Sequence, residues 1–127
     1  MKKLIVILLG FCLIGCDLNN DDNDAQSLIS CGVDNVLIEL DWLRQEVERR
    51  ELSTSSDIRF CFITQAILNG NTVFIYQDCN PVINKTIPIF NCEGINLNTP
   101  DNPINFNALR NQRIIWQPDD FECIVAF

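Results

Sequence analysis

With seven cysteines and no histidine among 127 residues, thiols and carboxylates are the groups from which this chain's chemistry is first sought. Histidine is the commonest general base near neutral pH and the commonest transition-metal ligand. Without it, Ser-His-Asp and Cys-His arrangements are excluded. A carboxylate pair or a lone thiolate could still catalyse, yet no spacing singles one out, so no catalytic residue is assigned. Cys31, Cys61, Cys79, Cys92 and Cys123 are scattered, with no Cys-x-x-Cys among them. That spacing argues against a zinc or dithiol redox site and implies no metal and no cofactor. Cys16 stands apart, directly after Gly15 at the end of an apolar run.

Met1-Lys2-Lys3 followed by the apolar run from Leu4 has the layout of a secretory signal. The run ends by Ile14 and gives way to Asp17, too short for ~30 Å of hydrocarbon, which needs about 20 residues. Leu13-Ile14-Gly15-Cys16 resembles the lipobox of bacterial lipoproteins. The resemblance implies that residues 1–15 are a cleaved signal peptide and that a peptidase cuts between Gly15 and Cys16. It also implies that the Cys16 thiol carries a diacylglyceryl group. Each buried methylene adds about 0.8 kcal/mol, so two or three acyl chains hold a protein on a membrane. Cys12 would leave with the peptide.

Residues 16–30 then read as the lipidated cysteine and an acidic tether. Asp17 to Ser27 has almost no apolar content and should not repay its chain entropy by burial. Its Asp and Asn oxygens suit calcium, but the tract lacks the Gly-bearing, Glu-terminated spacing of a calcium loop. The acidic run also resembles the signal with which Bacteroidetes-type lipoproteins reach the outer face of the outer membrane. The expected location is therefore the bacterial cell envelope, with the outer membrane favoured over the inner.

Residues 31–127 are long enough for one small domain. Loss of Lys2 and Lys3 reduces nine basic residues to seven: Arg44, Arg49, Arg50, Arg59, Lys85, Arg110 and Arg113. They form no run, and an acidic chain without a basic patch lacks the footprint of a nucleic-acid binder. An oxidising envelope makes disulfides the default for the five remaining cysteines, and the odd count implies one free thiol or an intermolecular bond.

The expected fold class is α+β, an amphipathic N-terminal helix packed on an antiparallel meander of three to five strands, stapled by disulfides. Asp34 or Asn35 can cap a helix running to about Leu52, with Val36, Leu40, Leu43 and Val47 on one face. Glu46 and Arg50 form an i,i+4 pair. Arg59 to Leu68 and Thr72 to Gln77 read as strands around Asn69-Gly70-Asn71, a hairpin signal. With a three-residue loop, Leu68 faces Thr72 and Cys61 falls opposite Cys79, making Cys61–Cys79 the candidate disulfide. Cys31, Cys92 and Cys123 are the other candidate half-cystines. Thr86 to Phe90 reads as a third strand, and Pro88, which cannot donate to a ladder, favours an edge position or an interruption of that strand. Asn98 to Asn107 reads as loop, Asn107 to Gln112 as a helical turn, and Arg113 to Trp116 as a last short strand.

An early cysteine, a helix with Trp42, the Asn69-to-Phe74 hairpin, Cys79, the Phe90-to-Gly94 turn and Ile114-Ile115-Trp116 recur in this order. The pattern resembles a family of small uncharacterised lipoproteins and exported proteins of Bacteroidetes-type bacteria. That family often carries a further cysteine soon after the turn, where this chain has Ile95 to Pro100. The resemblance implies fold and location and brings no activity.

Trp116 and Tyr76 are candidate interaction aromatics, although the apolar neighbours of Trp116 favour a core role. Phe60, Phe62, Phe74 and Tyr76 could make a stacking platform if they share a face. Asp119, Asp120 and Glu122 could hold a cation or lie solvated. The preferred reading is a non-catalytic binding module, an inhibitor being one form of it, that engages a protein or an envelope polymer. The alternative is a small envelope enzyme using carboxylates or the odd thiol.

Overall fold

Asn35 starts the helical segment from an extended backbone, its Oδ1 accepting the Leu37 N–H at 3.1 Å. Glu39 reaches back and accepts the Asn35 N–H at 2.8 Å, so two otherwise unpaired donors are satisfied at this end. The computed structural model describes residues 30–82 and 85–127. The signal, Gly15, Cys16, the acidic tether and Asn84 lie outside them.

The single helix expected from the pattern is two helices, α1 (Val36–Glu39) and α2 (Asp41–Glu51), separated by Leu40 in an extended conformation. The reason lies at Cys92. Cys31, just before α1, is disulfide-bonded to Cys92, and Trp42 of α2 donates its indole N–H to the Cys92 carbonyl at 2.9 Å. A continuous helix climbs about 1.5 Å per residue and would carry Trp42 away from that anchor. The bend at Leu40 lets both attachments reach one residue.

Trp42 also explains the turn after Phe90. Its ring meets Phe74 edge-on at 5.6 Å and Phe90 at 5.7 Å, and it lies across Gly94. A Cβ on Gly94 would sit 2.9 Å from the indole, and its φ of +76° disfavours any other residue.

A short 3₁₀ turn (Ser56–Phe60) leads into β1 (Cys61–Leu68) and β2 (Asn71–Asp78), a hairpin closed by Asn69 and Gly70. Both loop residues have positive φ, 51° and 83°, the geometry of a two-residue type I′ turn. Leu68 therefore pairs with Asn71 and Cys61 with Asp78. The expected Cys61–Cys79 bridge does not form. Because side chains alternate across a strand, a slip of one residue sends Cys79 to the opposite face. There it bonds Cys123, and Cys61 is a free thiol. The other candidate half-cystines, Cys31 and Cys92, bond each other.

β3 (Ile89–Phe90) pairs with β2 at one edge, directly after Pro88. β4 (Leu109–Trp116) starts earlier than expected, after a 3₁₀ turn at Phe106–Ala108, and pairs antiparallel with β1. The order β3-β2-β1-β4 makes the first three strands a meander, while the fourth returns beside the first in Greek-key order. Residue Asn111, at φ 52°, sits where β4 shifts register, a bulge that adjusts the returning strand.

The α+β sheet is covered on both faces. On the first, Val36 and Leu43 pack against Ile63, Phe74 and Trp116. On the second, Ala66, Val73, Ile75, Ile89 and Leu109 are joined by Ile87, Leu97 and Ile104. The stretch from Asn98 is loop as expected up to the 3₁₀ turn, and its Ile104 packs into this second cover. Buried Asn98 fixes it, donating to the Ile87 carbonyl at 2.7 Å and accepting the Ile104 N–H at 2.9 Å. The four aromatic residues do not form one platform. Phe62 meets Phe121, while Phe74 and Tyr76 lie with Trp42 and Phe90.

Candidate functional site

The last two turns of α2 carry Glu46, Arg49 and Arg50 over the first face of the sheet. A helix places residues three and four apart as neighbours, so Glu46 meets both arginines. Its Oε1 accepts from Arg50 Nε at 2.6 Å and from Arg49 Nη2 at 2.7 Å, and its Oε2 accepts from Arg49 Nε at 2.8 Å. Burial opposes ionisation of Glu46, but these arginine hydrogen bonds outweigh it and hold the carboxyl below its ordinary range. Arg50 is only 8 % exposed.

Two aromatic rings hold the Arg50 guanidinium, Tyr76 of β2 at 4.7 Å and Trp116 at the end of β4 at 5.6 Å. An arginine over an aromatic face gains about 0.5–2 kcal/mol and loses side-chain freedom. Trp116 is itself fixed, donating its indole N–H to Glu51 Oε1 at 3.3 Å. Glu46 sets the guanidinium through Nε alone. Among the described residues, Nη1 and Nη2 of Arg50 make no hydrogen bond within the protein, and since the one buried side-chain polar atom without a partner is Arg59 Nε, both Arg50 nitrogens reach solvent.

Two grooves meet at this arginine, sharing Arg50, Ser55 and Ile58. One, of about 560 Å³, runs toward Ser53, Thr54, Gln117 and Asp119. The other, of about 460 Å³, runs between α2 and β2 past Tyr76, Cys61, Asp78 and Lys85 to Pro88. Lys85 Nζ lies 3.2 Å from Asp78 Oδ2.

Cys61, the free thiol, lies half-buried in the second groove, its Sγ 3.6 Å from the Asp57 carbonyl oxygen. Burial and then the Asp78 charge push its pKa up, against smaller opposing effects of Arg50 and Lys85. A thiol shifted this way is a weaker nucleophile at neutral pH, because less thiolate is present. Burial and Glu46 likewise push the Tyr76 phenol well above its usual range, so it stays neutral.

Of the residues singled out in the sequence, Tyr76, Cys61 and Trp116 are brought together around Arg50. Trp116 is 8 % exposed and serves as a wall rather than a protruding anchor. Cys79 and Cys123 are joined on the other face. The acidic tail divides: Asp119 and Asp120 line the larger groove, while Glu122 pairs with Arg59 at 3.2 Å. Among the described residues no cluster of three metal-ligating side chains occurs. Arg50 entered the sequence reading only as the partner of Glu46. The signal for more was faint, because Arg50 sits in the charged run Glu48-Arg49-Arg50-Glu51 and only its three-residue spacing from the apolar Val47 turns it toward the sheet. Compared with known proteins, the chain matches no family, no curated protein and no solved structure.

Proposed function

We propose that this chain is a lipid-anchored protein of the bacterial cell envelope whose folded domain is a non-catalytic binding module. The lipobox-like Leu13-Ile14-Gly15-Cys16 and the acidic tract after it support the anchor at Cys16 and an outer-membrane location. They also favour membership of the small Bacteroidetes-type lipoproteins that the chain resembles. The single observation that carries the binding reading is Arg50. A buried cation locked by Glu46, Tyr76 and Trp116, with two donors unused beside a groove, is built to hold a partner group. Rigid, pre-oriented donors of this kind lower the entropic cost of association. The raised Cys61 pKa and the missing histidine weigh against a nucleophilic enzyme.

Two measurements test this. Metabolic labelling with an alkyne fatty acid should mark the native chain and fail on Cys16→Ser. A photocrosslinker attached at Cys61 should trap one discrete envelope protein or polymer on intact membranes. The same probe on Cys61→Ser/Ile95→Cys, placed beyond β3, should not. Equal trapping from both positions would refute the groove as the binding surface.

A further inference from the structure

The chemistry of the groove between α2 and β2 also constrains what it holds, a step that rests on the binding reading above. We propose that this groove is a site for a singly charged carboxylate on a small apolar body, gripped by Nη1 and Nη2 of Arg50 beside Cys61. Three observations carry it.

The first is the arginine. Its side chain is 8 % exposed and only its Nε is bonded among the described residues, while Nη1 and Nη2 are not among the buried atoms without a partner, so they open to solvent where a ligand can reach them. The unused Nη1 and Nη2 form the outer fork of a planar guanidinium, which matches the two oxygens of a carboxylate. Stacking on Tyr76 and Trp116 fixes the plane in which that fork lies.

The second is charge. Arg49, Arg50 and Lys85 face Glu46, Asp57 and Asp78 along this groove. Three carboxylates so close disfavour a doubly charged phosphate or sulfate, since like charges repel strongly at short range in a partly desolvated site. Three cations against three carboxylates leave the lining formally neutral, so a monoanion on the Arg50 fork adds the least unbalanced charge. The third is shape. Ile58, Tyr76 and Pro88 give the groove an apolar wall, and a volume of about 460 Å³ suits a small molecule.

Cys61 provides the reporter. The full-length chain, purified in detergent with its disulfides intact, is alkylated with iodoacetate or with neutral iodoacetamide. Both form the same S–C bond and release iodide. Modification at Cys61 is quantified by peptide mass spectrometry, and the denatured chain sets the reference ratio. Folding should raise the iodoacetate-to-iodoacetamide ratio at Cys61 at least fivefold, and Arg50→Gln should return it to the denatured value. N-acetylphenylalanine should protect Cys61 saturably while its amide does not, an arm that needs no variant and survives any instability of Arg50→Gln. A ratio unchanged by folding, with equal protection by acid and amide, overturns the carboxylate site. If the Cys61 crosslinker still traps its partner in that case, the binding-module reading stands and only the ligand class falls.

Discussion

Arg50 shows how one side chain can be placed by three elements at once. Its helix supplies Glu46 one turn earlier, β2 supplies Tyr76 and β4 supplies Trp116. The Glu46 contact was legible in the sequence as an i,i+4 pair, because helix geometry alone fixes it. The aromatic contacts were not, because they depend on strand pairing far along the chain. The low pKa of Glu46 has a definite consequence for stability. The unfolded chain takes up its proton near 4.5, whereas the folded chain takes it up at lower pH. The ion pairs therefore stabilise fully above about pH 4.5, and this contribution is lost as pH falls through the folded value. Urea denaturation across a pH series should show Glu46→Gln less stable by about 2 kcal/mol at neutral pH. The variant should also lose less stability than the wild type on acidification. Cys61 behaves in the opposite sense, being protonated to higher pH in the folded chain than the ordinary value of 9.0. A thiol-reactive dye should thus label Cys61 more slowly in the native protein than in urea at pH 8, and equal rates would contradict its half-burial.

At the level of elements, the hairpin was legible in kind but not in register. Asn69, Gly70 and Asn71 all tolerate tight turns, so the sequence admitted a loop of two residues or three. The structure uses two, and that single residue decides which face Cys79 occupies. The break at Leu40 was illegible for a related reason, since the apolar spacing from Val36 to Val47 continues through it unchanged. It answers instead to the two attachments at Cys92. The turn at Gly94 is the most sensitive joint between helix and sheet. Gly94→Ala should lower stability by about 2–3 kcal/mol, because the added methyl meets the Trp42 ring on a left-handed backbone. Chemical denaturation would measure the loss, and Trp42→Phe in the Gly94→Ala background should recover part of it.

For the whole molecule, two disulfides tie the start of the helical segment to the turn after β3 and the tail to the end of β2. They span 61 and 44 residues of sequence. On chain-entropy grounds each closure of this length disfavours the unfolded state by about 4 kcal/mol. A domain this small has only about 5–15 kcal/mol of net stability. Mild reduction should therefore unfold it cooperatively, read as loss of near-ultraviolet circular dichroism. Non-reducing peptide mapping should recover Cys31–Cys92 and Cys79–Cys123 with Cys61 unbridged, and any bridge to Cys61 would contradict the hairpin register. Between the two ties, the return of β4 beside β1 brings Trp116 to Arg50 and so completes the candidate site.

The sequence by itself determined what local rules control. Side-chain period distinguished helix from strand, Pro88 favoured an edge position or an interruption at β3, and the absence of histidine removed whole classes of catalysis. The tertiary structure alone decided the cysteine pairing, the place of β4 and the meeting of Arg50, Tyr76, Trp116 and Cys61. These depend on strand register and on contacts between residues dozens of positions apart. Such contacts are set by the packing of both sheet faces together, and no short window of sequence encodes them.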